Sequence, residues 1–247
     1  MPPLVRALDL VKIHGPADAG TPVLRQVSLE VEPGEFVCVM GPSGSGKTTL
    51  LHLVSGLDRP TSGKVELAGR DLATLSEADR TLLRRRTVGH VFQFFHLLPD
   101  LSVLENVGLP LSIEGRRPEE RATELRALLA RVGLAQKEAS LPHQLSGGEL
   151  QRTSIARALA GGQPLLLCDE PTGNLSQKAG LEVMELLREV NRRDGRAVLL
   201  VTHNPRDATF ADRVLFLVDG RLDAERTLRG PGLEVEHVHA ALAALHI

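Results

Sequence analysis

Residues 36–54 read FVCVMGPSGSGKTTLLHLV and decide the fold of this 247-residue chain. Phe36–Met40 is uniformly apolar, which is typical of a buried strand, and the leucines after residue 49 are typical of a helix. Between them, Gly41–Thr48 matches the phosphate-loop pattern G-x-x-x-x-G-K-[ST] in full. Its glycines let backbone N–H groups converge on phosphate oxygens, and the helix that follows offers its positive end. We therefore predict a nucleotide-binding α/β core around this segment.

The residues of this loop are expected to bind ATP and Mg²⁺ together. Lys47 supplies a positive charge to the β- and γ-phosphates, and the hydroxyl of Thr48 is a ligand for Mg²⁺. A chance match is disfavoured because the loop stands between a strand and a helix. The predicted nucleotide-binding residues of the loop are Gly41, Pro42, Ser43, Gly44, Ser45, Gly46, Lys47, Thr48 and Thr49.

Two adjacent carboxylates follow a second apolar strand, in the stretch LLLCDE at residues 165–170. Strands often end in acidic residues, so this pair alone would be weak. With a phosphate loop upstream, however, Asp169 is a candidate Mg²⁺ ligand and Glu170 a candidate for polarising the attacking water.

A second anion-binding helix start is predicted at the stretch LSGGE, residues 145–149. Ser146, Gly147, Gly148 and Glu149 open a helix whose backbone donors lie at its positive end. Taken by itself, the segment would be an ordinary helix start with a serine cap. Because one chain does not need two phosphate cradles about a hundred residues apart, we expect this one to serve the ATP of a second copy.

Strand and helix patterns alternate along most of the chain, which indicates a parallel sheet covered by helices on both faces. Strands are predicted at two antiparallel segments within 4–31 and at 35–40, 64–67, 164–168, 197–202 and 213–217. Helices are predicted after residue 48 and at 117–132, 148–160, 179–190 and from 234. The predicted organisation is an ATP-binding domain over 1–230, with a core at 1–92 and 163–230, a helical lobe at about 94–162, and a helical tail at 231–247.

Composition narrows the possible partners. Net charge is −2, from 29 basic and 31 acidic residues, so a nucleic-acid partner is not expected. The run Arg84–Arg86 is interpreted as a solvated face, and His237 and His239 as surface residues.

The longest apolar runs have strand length, so the chain is expected to have no leader peptide and to span no membrane. It is expected to be cytoplasmic, with Cys38 and Cys168 as buried free thiols.

These motifs, together with Gln93 in VFQ and His203 in TH, stand in the order and spacing of ABC-transporter nucleotide-binding domains. The resemblance extends from Leu4 to Leu222. The stretches GPSGSGKTTLL, VFQFFHLLPDLSVLENVGLPL and DEPTGNL are similar to those of the lipoprotein-release, macrolide-export and cell-division ATPase branch.

The resemblance implies an α/β fold of the ABC ATPase type: a P-loop NTPase parallel-sheet core, an N-terminal antiparallel β subdomain and an inserted α-helical lobe. It implies ATP hydrolysis in a head-to-tail homodimer around two Mg-ATP. It assigns Glu170, His203 and Gln93 to catalysis, and Thr48, Gln93 and Asp169 to Mg²⁺. It also implies an integral membrane permease on the inner face of the membrane, which we expect to dock near residues 94–107, from Phe94 to Val107.

Two positions depart from the family pattern. His14 stands where an aromatic residue usually stacks on adenine, and Ser176 stands where an aspartate usually follows the catalytic segment. Two alternatives therefore stay open beside an export or extraction ATPase. One is a slowly hydrolysing regulatory ATPase, which Ser176 favours. The other is a soluble ABC ATPase, although the long coiled-coil insertions or second cassette of such proteins are absent from this sequence.

Overall fold

The computed structural model describes residues 2–15, 20–230 and 232–245. Its strands, in chain order, are β1 (Val5–His14), β2 (Thr21–Val31), β3 (Phe36–Met40), β4 (Ser62–Leu67), β5 (Arg70–Asp71), β6 (Val88–Val91), β7 (Leu165–Asp169), β8 (Ala197–Thr202), β9 (Arg213–Val218) and β10 (Arg221–Arg229). Its helices are α1 (Lys47–Val54), α2 (Glu77–Thr87), α3 (Val103–Ile113), α4 (Ala122–Arg131), α5 (Gly147–Leu159), α6 (Gln177–Asp194), α7 (Pro205–Ala208) and α8 (Val235–Ala244).

The strands form two sheets. The order β2-β1-β4-β5 is antiparallel, and the order β10-β9-β3-β8-β7-β6 is parallel except for its edge strand β10. The predicted α/β fold, with a parallel core and an N-terminal antiparallel sheet, is confirmed. Because β3, β7 and β8 are parallel neighbours, the loops after them meet at one edge of the sheet.

The strand register shows how far apart the two cysteines lie. Cys38 in β3 and Cys168 in β7 both pair with Leu200 of β8, one from each side. The two cysteine backbones are therefore two strand spacings apart, about 10 Å, which is beyond the reach of a disulfide. Both thiols are buried and free, and burial raises the pKa of each.

Apolar layers cover both faces of the parallel sheet. One layer packs α1 and the antiparallel sheet against one face, and the other packs the helices from α3 onward against the opposite face. Strands β3 and β8 are buried along their whole length, as the continuous apolar runs predicted. Helices α3, α4 and α5 lie in the stretch where a helical lobe was predicted.

Helices α2, α3 and α7 were not predicted, and the helix predicted at 117–132 differs in its extent. The predicted helix at 117–132 is a 3-10 turn at Pro118–Arg121 followed by α4, because the backbone of Arg121 leaves the helical region, with φ −115° and ψ 15°. Helix α2 was not predicted, since its side chains are mostly polar and give no apolar periodicity. A signal was nevertheless present, because Ser76 caps α2 by accepting the N–H of Asp79 at 3.1 Å.

The surface interpretations are largely confirmed. Arg85 and Arg86 are exposed at the end of α2, whereas Arg84 is half-buried and donates to the Gly56 carbonyl at 3.0 Å. The tail forms α8, which buries Val238 and exposes its histidines His237 and His239. Within the described ranges, every helix is too short or too polar to cross a bilayer.

Candidate nucleotide-binding and hydrolysis site

The phosphate loop leaves β3 in a conformation that its glycines make possible. A Cβ on Gly41 would lie 2.1 Å from the Leu217 carbonyl oxygen, so a side chain does not fit there. Gly46 has φ 104°, in the left-handed region, and begins α1 without a side-chain cap. The first N–H groups of α1 therefore have neither an intrahelical acceptor nor a capping side chain. This arrangement favours the binding of an anion.

Lys47 is held inside the loop. Its Nζ donates to the carbonyls of Gly41 and Pro42 at 2.9 Å each and lies 3.5 Å from Glu170 Oε1. The residue is 5% exposed, so its charge acts where water screens little. The loop thus presents a fixed positive charge beside the carboxylate predicted to be catalytic.

The predicted metal ligands Thr48 and Asp169 are in contact. The Thr48 hydroxyl donates to Asp169 Oδ1 at 3.2 Å. Burial raises the pKa of Asp169, and the Thr48 hydrogen bond only partly opposes that shift. Hydroxyl and carboxylate oxygens are the donors that Mg²⁺ prefers. Nearby in the loop, the buried Ser45 hydroxyl has no hydrogen-bond partner among the described residues. The residues present therefore fit Mg²⁺ and a phosphate group.

Glu170 and His203 are also brought together, from loops that follow neighbouring strands. His203 Nδ1 lies 2.6 Å from Glu170 Oε2. Glu170 has φ 44°, a left-handed conformation that is costly for a residue with a side chain. Its N–H donates to the Val201 carbonyl at 2.9 Å, which holds the turn against β8. This left-handed backbone conformation places the Glu170 carboxylate between Lys47 and His203.

Gln93 lies against the turn that follows Glu170. A Cβ built on Gly173 would be 2.8 Å from Gln93 Nε2, and Asn174 Nδ2 donates to the Gln93 carbonyl at 3.1 Å. The three residues predicted to be catalytic therefore lie in adjoining segments of one region. The contact between Asn174 and Gln93 was not predicted.

The Ser146 segment begins α5 through a capping box. Ser146 caps the helix, and Glu149 Oε2 accepts both the N–H and the hydroxyl of Ser146, at 2.8 and 2.9 Å. Lys137 Nζ lies 3.2 Å from the other Glu149 carboxylate oxygen. A Cβ on Gly147 would contact the Leu175 side chain at 3.3 Å, so the segment abuts the loop after Glu170.

Not every predicted nucleotide-binding residue comes together within one chain. In the part of the chain that the structure describes, no hydrogen bond or ion pair joins residues 146–149 to the phosphate loop. His14 is exposed at the end of β1. Ser43 and Gly44 are exposed, and Gly148 is buried at the start of α5.

A buried polar cluster beside the site was missed by the sequence analysis. Asp207 accepts hydrogen bonds from Thr172, from Thr202 at 3.3 Å and from Asn204 at 3.1 Å. Burial raises the pKa of Asp207, and the hydroxyls of Thr172 and Thr202 partly oppose that shift. The available signal was Asn204-Pro205, which is typical of a capped helix start and places Asp207 at its third position.

Comparison with known proteins decides the family. The ABC transporter family profile matches residues 24–173. The chain belongs to the ABC transporter family. A relative named lipoprotein-releasing system ATP-binding protein LolD, from Geobacter metallireducens, is 45% identical over 91% of this cassette and 100% of the relative. Macrolide export ATP-binding/permease protein MacB from Rhodopseudomonas palustris is 47% identical over 85% of the cassette, which spans 32% of that longer protein.

Solved cassettes have the same fold. A dimeric structure of MJ0796, described as a bacterial ABC transporter cassette, matches with a TM-score of 0.84 and 39% identity, over 93% of this cassette and all of that chain. A dimer of MJ0796 in a post-hydrolysis state with ADP and Pi matches with a TM-score of 0.81 and 38% identity, with the same coverage. The chain is thus an ATP-hydrolysing ABC cassette of the lipoprotein-release and macrolide-export branch.

Proposed function

We propose that two copies of this cassette close head-to-tail on two Mg-ATP and drive export or extraction of a substrate through a separate permease. The observation that carries the proposal is that Glu170 contacts both Lys47 and His203 beside a helix start without a side-chain cap. One chain supplies the groups for binding phosphate and activating water, while its Ser146 segment is not bonded to them.

Each residue then has a distinct task. The N–H groups of the phosphate loop and Lys47 bind the β- and γ-phosphates. Glu170 orients the attacking water and accepts its proton, and His203 contacts the γ-phosphate and keeps Glu170 in place. Thr48, Asp169 and Gln93 hold Mg²⁺, which when bound neutralises phosphate charge.

The second phosphate contact comes from the partner copy. Ser146, Gly147 and Gly148 begin a helix, and among the described residues no hydrogen bond or ion pair joins this helix start to the phosphate loop of its own chain. In a head-to-tail dimer each such helix start meets the other copy's γ-phosphate. Closure is favoured because ATP binds the closed state more tightly than the open state, and hydrolysis removes that preference.

The permease is proposed to dock where core and lobe meet. A cavity of about 340 Å³ is lined by residues of β6, α3, α5 and the loop after β6, including Phe92, His96 and Ile113. Phe94 is 67% exposed and Ile113 52%, and exposed apolar groups of this size commonly mark interfaces. We therefore propose that the docking site, expected near residues 94–107, extends to the end of α3. Phe94→Ser with Ile113→Ser should reduce co-purification of the permease, whereas Leu57→Ser, equally apolar and exposed elsewhere, should not.

The relatives support a membrane partner. MacB of Rhodopseudomonas palustris and the pyoverdine export protein PvdT of Pseudomonas entomophila are named as combined ATP-binding and permease proteins. We place this cassette on the inner face of the membrane, attached through its permease.

The test is Glu170→Gln. The change removes the proton acceptor but keeps the side chain's shape, so hydrolysis should fall about 100-fold or more while ATP binding persists. ATP-dependent dimers should then accumulate on size exclusion. Glu189→Gln, which alters a surface ion pair of α6, is the matched control. A Glu170→Gln protein that turns over normally, or that stays monomeric with Mg-ATP, would contradict the proposal.

A further inference from the structure

The loops that carry Glu170 and His203 share one anchor outside the reacting groups. Thr172 lies two residues after Glu170, and Thr202 and Asn204 flank His203. All three donate hydrogen bonds to the carboxylate of Asp207. Asp207 is 4% exposed and Thr202 is 1% exposed, so water does not readily replace these bonds.

We propose that Asp207 is a positioning residue for ATP hydrolysis, because its carboxylate ties the Glu170 loop to the His203 loop. The inference rests on the proposed function, since it takes Glu170 and His203 as the groups that act on ATP. Asp207 does not touch either of them by hydrogen bond. It acts through Thr172 on one side and through Thr202 and Asn204 on the other.

The donors divide between the two carboxylate oxygens. Oδ2 accepts from Thr172 and Thr202, and Oδ1 accepts from the Asn204 amide. An ionised carboxylate has enough lone pairs for all three donors, whereas an asparagine has one acceptor oxygen. The Thr202 hydroxyl also accepts the Asn204 N–H at 3.0 Å, which fixes the backbone around His203.

The anchor matters because Glu170 is strained. Its left-handed backbone persists only if its surroundings hold it. The Val201 carbonyl holds the N–H of Glu170, and Asp207 holds the far side of the same turn through Thr172. Without that second hold, the 2.6 Å contact between Glu170 and His203 is free to lengthen, and a small displacement of a catalytic group is costly in rate.

The deciding variant is Thr172→Val, which has nearly the same shape and removes only the hydroxyl. We expect kcat for ATP to fall about fivefold to fiftyfold, with KM changed less than about twofold. Thr172→Ser restores the hydroxyl and should recover most of the lost rate. Thr209→Val is the matched control, because Thr209 ends the helix that carries Asp207 and its hydroxyl donates to the Arg206 carbonyl at 2.8 Å instead of to Asp207.

A second variant tests the anchor itself. Asp207→Asn should lower kcat by a similar factor, and adding Thr172→Val to it should cost less than about twofold more, because both changes break one connection. Thermal melting of each variant confirms that rates are compared on folded protein.

The proposal is overturned if Thr172→Val matches wild type in kcat, if Thr172→Ser is as slow as Thr172→Val, or if only KM changes. Glu170→Gln distinguishes a failure of the proposed function from a failure of the positioning inference. If it still hydrolyses ATP, the proposed roles fail. If it does not, and Thr172→Val is nonetheless unimpaired, the positioning inference alone fails.

Discussion

The first helix of the core and the long helix of the lobe both begin at glycine-rich segments, but their N-termini differ. Helix α1 begins at Gly46 with no side-chain cap and no acidic residue in its first turn. Helix α5 begins at Ser146 with a complete capping box, and Glu149 lies in its first turn. The first N-terminus is open to an anion, whereas the second is already bonded to a carboxylate of its own chain.

The charged side chains around the two helix starts differ as well. Around α1 the positive charge of Lys47 is buried and close to the phosphate loop carbonyls. Around α5, the Glu149 carboxylate lies in the first turn and pairs with Lys137 at 3.2 Å, so a negative charge of the same chain opposes part of the attraction of that helix start for an anion. A weakly attractive second cradle suits a contact that must form on closure and release after hydrolysis.

The largest effect is expected from removing the charge at the open N-terminus. Lys47→Ala should weaken Mg-ATP binding about tenfold to hundredfold, because hydrogen bonds to charged groups contribute about 1.5–3 kcal/mol. Calorimetric titration in the Glu170→Gln background measures it. Lys64→Ala, which removes a lysine on β4 paired with Glu66 and Asp71, should bind like wild type. If Lys47→Ala bound Mg-ATP as tightly as wild type, the start of α1 would not be the stronger of the two phosphate-binding helix starts.

A medium effect is expected at Ser176, in the loop that contacts the start of α5. Ser176 itself caps α6 by accepting the Ala179 N–H. Ser176→Asp should raise ATPase turnover about threefold to tenfold, since a carboxylate accepts more hydrogen bonds at the proposed dimer seam. Aspartate is an equally good cap, so the fold should not change. Ser176→Asn caps without charge and should turn over like wild type. Equal turnover in the aspartate variant would remove the main support for a slow regulatory ATPase.

The smallest effect is expected at Glu149. Glutamine also completes a capping box, so Glu149→Gln removes charge while keeping the helix start. ATP-dependent dimers should become about twofold to fivefold tighter, because a carboxylate near the partner's phosphate is repulsive. Sedimentation in the Glu170→Gln background measures this. Glu105→Gln alters the same capping box on α3 and should have no effect. Weaker dimers would instead support the sequence-based prediction that Glu149 contacts nucleotide directly.

The sequence predicted features that depend on local pattern. The phosphate loop, the buried strands and the carboxylate pair at residues 169–170 are each contained in one short segment, so spacing and composition were sufficient. Helix α2 was missed because a mostly polar helix has no apolar period. Its capping serine was the one local signal.

Long-range contacts could not be predicted from local pattern. Thr172 and Asp207 are 35 positions apart. The segment between them includes a helix and a strand, and no sequence spacing indicates that the two side chains meet. The strain at Glu170 was equally hidden, because glutamate is not typical of a left-handed backbone. The predicted parallel sheet brings the loops after its strands to one edge, but only the structure shows which side chains form hydrogen bonds.

The central claim is that the open and capped N-termini of different copies form one site. Equal amounts of Lys47→Ala and Ser146→Asp protein test it, because aspartate keeps the cap and adds charge against phosphate. At an ATP concentration that saturates wild type but lies well below the weakened affinity of Lys47→Ala, each variant alone should be nearly inactive. In their heterodimers one composite site keeps both Lys47 and Ser146, so the mixture should regain up to about a quarter of wild-type ATPase activity. The control mixture, Lys47→Ala with the double variant, has no intact site and should stay inactive. A Lys47→Ala and Ser146→Asp mixture no more active than its components would contradict the account.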